Sequence, residues 1–167
     1  STSGPMAVPG TYTVRLTADG KRLEQPLVVV KHPLYKDVTQ ADLEAQFALA
    51  IRIRDKLSEA NQAVIRIRDI KGQVTDRVGK SSDARLRTVA DTLTKQISAV
   101  EEEIYQVRNQ SGQDPLNFPI KVNNRIGTLN RSVNTGDGAP IGNAEPIFND
   151  LVGELKIQTD KLEQIIN

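Results

Sequence analysis

The sequence predicts a mainly α fold: an up-and-down four-helix bundle preceded by a short β-hairpin. Three observations carry that expectation. A strictly alternating apolar pattern spans Thr11–Thr17. An unbroken three-or-four spacing of apolar residues then runs from Leu43 to Val78. Beyond it, turn signals cut the chain into three shorter amphipathic segments. Period two marks a half-buried strand and period 3.6 an amphipathic helix.

In the first segment Tyr12, Val14 and Leu16 alternate with Thr11, Thr13, Arg15 and Thr17. Asp19-Gly20 supplies a tight-hairpin turn, and a return strand is predicted over 23–31. Pro26 makes that return an edge or bulged strand. Two strands alone are marginal in water. The hairpin, near 10–31, is therefore expected to be the tail of an Ig-like β-sandwich whose other strands lie elsewhere, or to lean on the helices. The edge over 23–31 is expected to be the working surface. The domain division is 1–34 for this truncated sandwich and 35–167 for an antiparallel helical bundle.

"KHPLYKDV" (31–38) reads as a linker. Thr39 with Asp42 has capping-box spacing. The helix that follows is predicted over 39–79. At 1.5 Å per residue it is on the order of 60 Å long. It contains Ile-Arg-Ile-Arg-Asp twice, at 51–55 and 65–69. Fourteen residues are nearly four helical turns, so both copies fall on one face. Ile53 and Ile67 fit the apolar seam, Ile51 and Ile65 widen it, and the arginines flank it. Arg54 is placed to reach Asp55 or Ser58, and Arg66 to reach Gln62 or Ile70. Read as a strand, the motif would form a basic stripe, but four residues do not outweigh a helical period this long.

A second helix is predicted over 83–110, with Leu86, Val89, Leu93, Ile97, Val100, Ile104 and Val107 as its seam. Asp114 and Pro115 stand where an N-cap and a first helical residue would, opening a third helix over 115–134 with Val122, Ile126, Leu129 and Val133 inward. Phe118 is expected to insert between helices. After the glycine-rich "NTGDGAPIGNAEP", a last helix over 143–166 carries Ile147, Leu151, Leu155, Leu162 and Ile165/Ile166. Leu57, Val64, Leu93, Val100, Ile126, Leu129, Leu155 and Leu162 are expected to share one core.

Composition narrows function. The chain has 167 residues, 22 Lys plus Arg against 21 Asp plus Glu, and aromatics at 4% with no Trp. A near-neutral balance provides no field for nucleic acid or anionic lipid. Few rings argue against a base-stacking or sugar-binding platform. With no Cys, disulfides, thiolate metal sites and a Cys nucleophile are out. No apolar run reaches the length of a membrane span. The opening "STSGPMAVPG" lacks an initiator Met and reads as a piece of a longer polypeptide.

Chemistry-bearing candidates each have a plainer reading. His32 is the single histidine and sits in the linker, so a zinc site would need an unusual all-carboxylate complement. Glu101, Glu102 and Glu103 point about 100° apart on a helix and read as a solvated face. The 134–142 loop lacks the Lys-Ser/Thr of a P-loop and the acidic ladder of an EF-hand. Asn109 and Asn130 head glycosylation sequons but lie in or beside helices. No catalytic, cofactor-binding or metal-binding residue is assigned, and no cofactor.

Three stretches carry a resemblance: "GPMAVPGTYTVRLTADGKRLEQPLVV", "ADLEAQF" and, above all, "YQVRNQSGQDPLNFPIKVNNRIGTL". They resemble the C-terminal region of large exported bacterial proteins with BNR/Asp-box repeats in a sortilin-like β-propeller, usually labelled glycosyl hydrolases. "PGTYTVRLTADG" is similar to the last strands of their Ig-like sandwich, and "DPLNFPIKVNN" (114–124) is the most specific piece. The resemblance implies an upstream propeller and Ig-like domain as partners in the same chain, or another protein, and a cell-envelope or secreted location. The hydrolase label belongs to the propeller, so no catalytic residue carries over. The expected role is a non-catalytic C-terminal structural or interaction module, with a carbohydrate-recognition accessory domain as the alternative.

Overall fold

The computed structural model describes residues 4–167. It is mainly helical, with four helices behind one antiparallel hairpin. Strands β1 (Gly10–Ala18) and β2 (Lys21–Val29) pair with Tyr12 opposite Leu27, Val14 opposite Gln25 and Leu16 opposite Leu23. Asp19 at φ 50° and Gly20 at φ 73° make the turn. Two consecutive positive φ values define type I′, whose twist matches that of the strands. No Cα of either strand comes within 8 Å of a helix Cα. The hairpin is an arm, not a layer on the bundle.

Helix α1 (Gln40–Gly79) starts from the predicted box. The Thr39 amide donates to Asp42 Oδ2 at 2.8 Å, and the Asp42 amide donates to Thr39 Oγ1 at 3.2 Å. Its buried residues are Leu43, Leu49, Ala50, Ile53, Ala60, Ala63, Val64 and Ile67. Helix α2 (Ala84–Ile104) is N-capped by Asp83. Helices α3 (Val122–Val133) and α4 (Ala144–Ile166) follow.

Cross-helix contacts set the directions. Asn61 meets Asn123, and Gln46 meets the Val133 carbonyl, so α3 runs antiparallel to α1. Arg52 pairs with Glu145 and Arg66 with Glu163, so α4 runs parallel to α1. Arg68 and Lys71 meet Glu101 as α2 returns along α1. Helices α2 and α3 therefore run the same way, one after the other, along successive lengths of α1. The shared core contains Ile53, Val64, Ile67, Ile97, Val100, Ile104, Ile126, Leu155 and Leu162.

Several expectations are corrected. Helix α2 stops at Ile104, not near 110, because Tyr105 turns extended (φ −131°, ψ 139°). Gln106 is buried instead, its Nε2 donating to the Pro119 carbonyl at 2.8 Å. Helix α3 begins at Val122, and Asp114 opens only a 3₁₀ turn, Asp114–Leu116. The Asp114 carboxylate faces backward, accepting from the amides of Gln110 and Ser111 and from the Ser111 hydroxyl. Those bonds hold its carboxyl below the usual range. Phe118 is half-buried under the Arg108 guanidinium rather than inserted in the core.

The α2 seam is covered only in its C-terminal half: Ile97, Val100 and Ile104 are buried, Leu93 is partly covered, and Val89 is 65% exposed. Leu57 also sits at the margin of the core. In α4, Phe148 and not Ile147 fills the first-turn core position. Ile65 is 57% exposed and does not widen the α1 stripe.

Burial depth ranks the consequences. Ile97→Ala should cost about 2–5 kcal/mol, transfer and cavity terms together. Leu93→Ala should cost clearly less, because solvent already reaches that side chain. Urea unfolding of the two variants checks the order, and a larger loss at Leu93 would contradict the half-covered seam.

Candidate functional site

The hairpin presents a continuous uncovered apolar surface. Alternation puts Tyr12, Val14, Leu16, Leu23 and Leu27 on one face, and the pairing register brings them side by side. Each is between 41% and 66% exposed. The other face is mostly polar, with Val28 and Pro26 as its apolar members: Glu24 accepts from Arg15 Nε at 2.6 Å and also pairs with Arg22. Their hydrogen bonds, that of Arg22 first, hold the Glu24 carboxyl below its usual range.

The base of the arm is tied to the bundle by polar contacts. Gln40 Nε2 donates to the Pro9 carbonyl at 3.1 Å, and Lys31 Nζ to the Val38 carbonyl at 2.6 Å. A cavity of about 90 Å³ lies there between Val8, Val29, Leu43 and Gln46. Gln46 Nε2 also donates to the carbonyls of Val133 (2.7 Å) and Gly136 (2.9 Å). The glycine-rich loop is thus pinned at its start to α1.

The candidates from sequence do not converge. His32 is exposed, its Nδ1 accepting from the Leu34 amide at 3.3 Å and its ring resting 4.8 Å from that of Tyr35. The Asn109 side-chain oxygen is buried without a hydrogen-bond partner, and Asn130 Oδ1 accepts from Asn134. Among the described residues, no group of three His, Asp or Glu could hold a metal ion. No helix of the described residues is long and apolar enough to cross a membrane.

Glu101 overturns the expectation of a solvated acidic run. Its side chain is 5% exposed, and it accepts from Arg68 Nε at 2.7 Å and from Lys71 Nζ. Arg68 also lies over the Tyr105 ring, 5.0 Å from its centroid. Burial pushes the Glu101 carboxyl up, but the hydrogen bonds and charges of Lys71 and Arg68 outweigh it, leaving the group below its usual range. Glu102 and Glu103 remain exposed. A cation three residues before another on the facing helix was the available signal, since Arg68 and Lys71 share one side of α1.

No protein-family model, curated protein or solved structure matches this chain.

Glu101→Gln keeps the shape but removes the charge that both cations address. It should lower stability by about 1.5–3 kcal/mol at neutral pH, the range for hydrogen bonds to charged groups. Because the folded carboxyl titrates below its unfolded value, the contribution is complete above about pH 4.3 and fades as pH falls through the folded value. Unfolding free energies of both proteins should therefore converge toward acid. A gap that stays constant down to pH 3 would show that the charge is not what matters.

Proposed function

We propose that this chain is a non-catalytic structural and interaction module of a larger exported protein. The bundle is the base, and the hairpin docks by its apolar face against other β structure. The observation that carries the reading is the bare ridge of Tyr12, Val14, Leu16, Leu23 and Leu27 on strands that bring no Cα within 8 Å of a helix Cα. An isolated two-stranded hairpin is marginal in water, and a clustered apolar face marks a contact surface. The resemblance of 4–29 and 105–129 to the C-terminal region of exported propeller proteins supports the same reading. It names the neighbouring Ig-like and propeller domains as partners, and any hydrolase activity would reside in the propeller.

The test compares this chain with the longest native polypeptide that contains it. In the longer protein the hairpin amides should exchange more slowly and the ridge side chains should lose solvent contact. Replacing Val14 and Leu23 together by Asp should leave the unfolding midpoint of the isolated chain unchanged, since neither touches the core, while abolishing that protection. A midpoint that drops in the isolated chain would mean that the ridge already serves the bundle.

Activity separates the competing classes. The isolated chain should release no chromophore from a broad panel of chromogenic glycosides and should be retained on no polysaccharide affinity gel. Turnover proportional to protein and lost on changing one acidic residue would reverse the reading in favour of an enzyme. Retention lost with Tyr12→Ala would reverse it in favour of glycan recognition.

A further inference from the structure

The two edges of the hairpin are not equivalent, and their difference says which one another strand can join. Pro26 stands opposite Thr13 in the register. Proline has no amide to donate, so Thr13 and Pro26 cannot be a pair that exchanges two hydrogen bonds. Bonded and non-bonded pairs alternate along an antiparallel ladder. Thr11, Thr13, Arg15 and Thr17 of β1, and Arg22, Glu24, Pro26 and Val28 of β2, therefore turn their amides and carbonyls outward. The two-residue Asp19-Gly20 turn agrees, since Ala18 and Lys21 then form the bonded closing pair.

On the β2 edge, the outward row meets a missing donor at Pro26 and charged side chains at Arg22 and Glu24. Proline and charge on an edge are the devices that keep strands from joining. On the β1 edge every outward residue has its amide, three of the four are Thr, and Arg15 is the one charge against two on β2. The apolar ridge reaches this open edge through Tyr12, Val14 and Leu16.

We infer that β1, and not β2, is the edge at which a further β-strand joins. The occupant is an extended segment of the neighbouring β domain with apolar side chains at alternate positions. Those side chains would continue the ridge of Tyr12, Val14 and Leu16 on one face, while its backbone pairs with the outward groups of Thr11, Thr13, Arg15 and Thr17. This reverses the sequence-based expectation that the 23–31 edge is the working one. The inference rests on the reading of the chain as a docking module.

Amide hydrogen exchange by NMR, on this chain and on the longest native polypeptide that contains it, tests the assignment. The Thr11, Thr13, Arg15 and Thr17 amides should slow by about tenfold or more in the longer protein, as amides in a stable ladder do. Thr13→Pro removes one outward donor on β1, as Pro26 does on β2, and should abolish that slowing while the isolated hairpin keeps its turn. Val28→Pro removes an outward donor on β2 and should leave it intact. Slowing at Arg22, Glu24 and Val28 instead would overturn the edge assignment and leave the module reading standing. Burial of Val14 and Leu16 with neither edge protected would overturn strand addition alone. The same β1 protection in the isolated chain, rising with its concentration, would make the occupant a second copy and overturn the inference. No change anywhere in the hairpin would sink both readings.

Discussion

Helix α1 is longer than anything that packs on it, and the rest of the bundle follows from that. Forty residues span about 60 Å at the α-helical rise, whereas α2 has 21 residues, α3 12 and α4 23. No single partner can bury its apolar stripe. Helix α3 covers the N-terminal part, α2 returns along the C-terminal part, and α4 runs beside the middle and touches both. The irregular 105–121 segment exists to hand the chain from α2 to α3 without reversing direction. Its buried Gln106, bonded to Pro119, supplies the polar satisfaction that a non-helical stretch needs inside a fold.

Ion pairs set the register in this arrangement. The two Ile-Arg-Ile-Arg-Asp copies place Arg52 and Arg66 on the side of α1 that faces α4, where they meet Glu145 and Glu163. These exposed pairs contribute little energy singly, but they fit only one sliding position of α4. Glu101 works differently. Its carboxylate is buried where α2 crosses α1, and leaving it without Arg68 and Lys71 would strand a charge away from water. A wrong register at that crossing is therefore costly, which makes it a specificity device as well as a contact.

The hairpin stands outside this economy of burial. Its internal chemistry is complete: a type I′ turn, matched cross-strand pairs and a charged cluster on the polar face. What it lacks is a cover for the apolar face. The bundle does not supply one: no Cα of either strand comes within 8 Å of a helix Cα, and the arm is tied at its base, through Gln40 and Lys31. The binding role proposed for the arm would account for an apolar ridge kept beside a polar, pinned junction.

Much of the architecture was legible in the sequence because it depends on local periods. The alternation of Tyr12, Val14 and Leu16, the Asp19-Gly20 turn, the Thr39–Asp42 box and the seam of Val122, Ile126, Leu129 and Val133 each reflect geometry within a few residues. The turn, the box and the α3 seam emerged as read; the alternation yielded its strand, but one exposed along its whole length rather than half-buried. What only the tertiary structure decided concerns partners distant in the chain. Whether Leu93 and Val89 are covered depends on what packs against α2 there, not on their own spacing. Phe148, and not Ile147, faces the core, with Arg52 over its ring 4.7 Å from the centroid. Glu101 left the solvated face because two cations of α1 arrive opposite it. Asp114 turned back to cap its preceding loop, where the amides of Gln110 and Ser111 meet its carboxylate. Periodicity determines which face of an element is apolar; only the assembled helices determine which part of that face meets another.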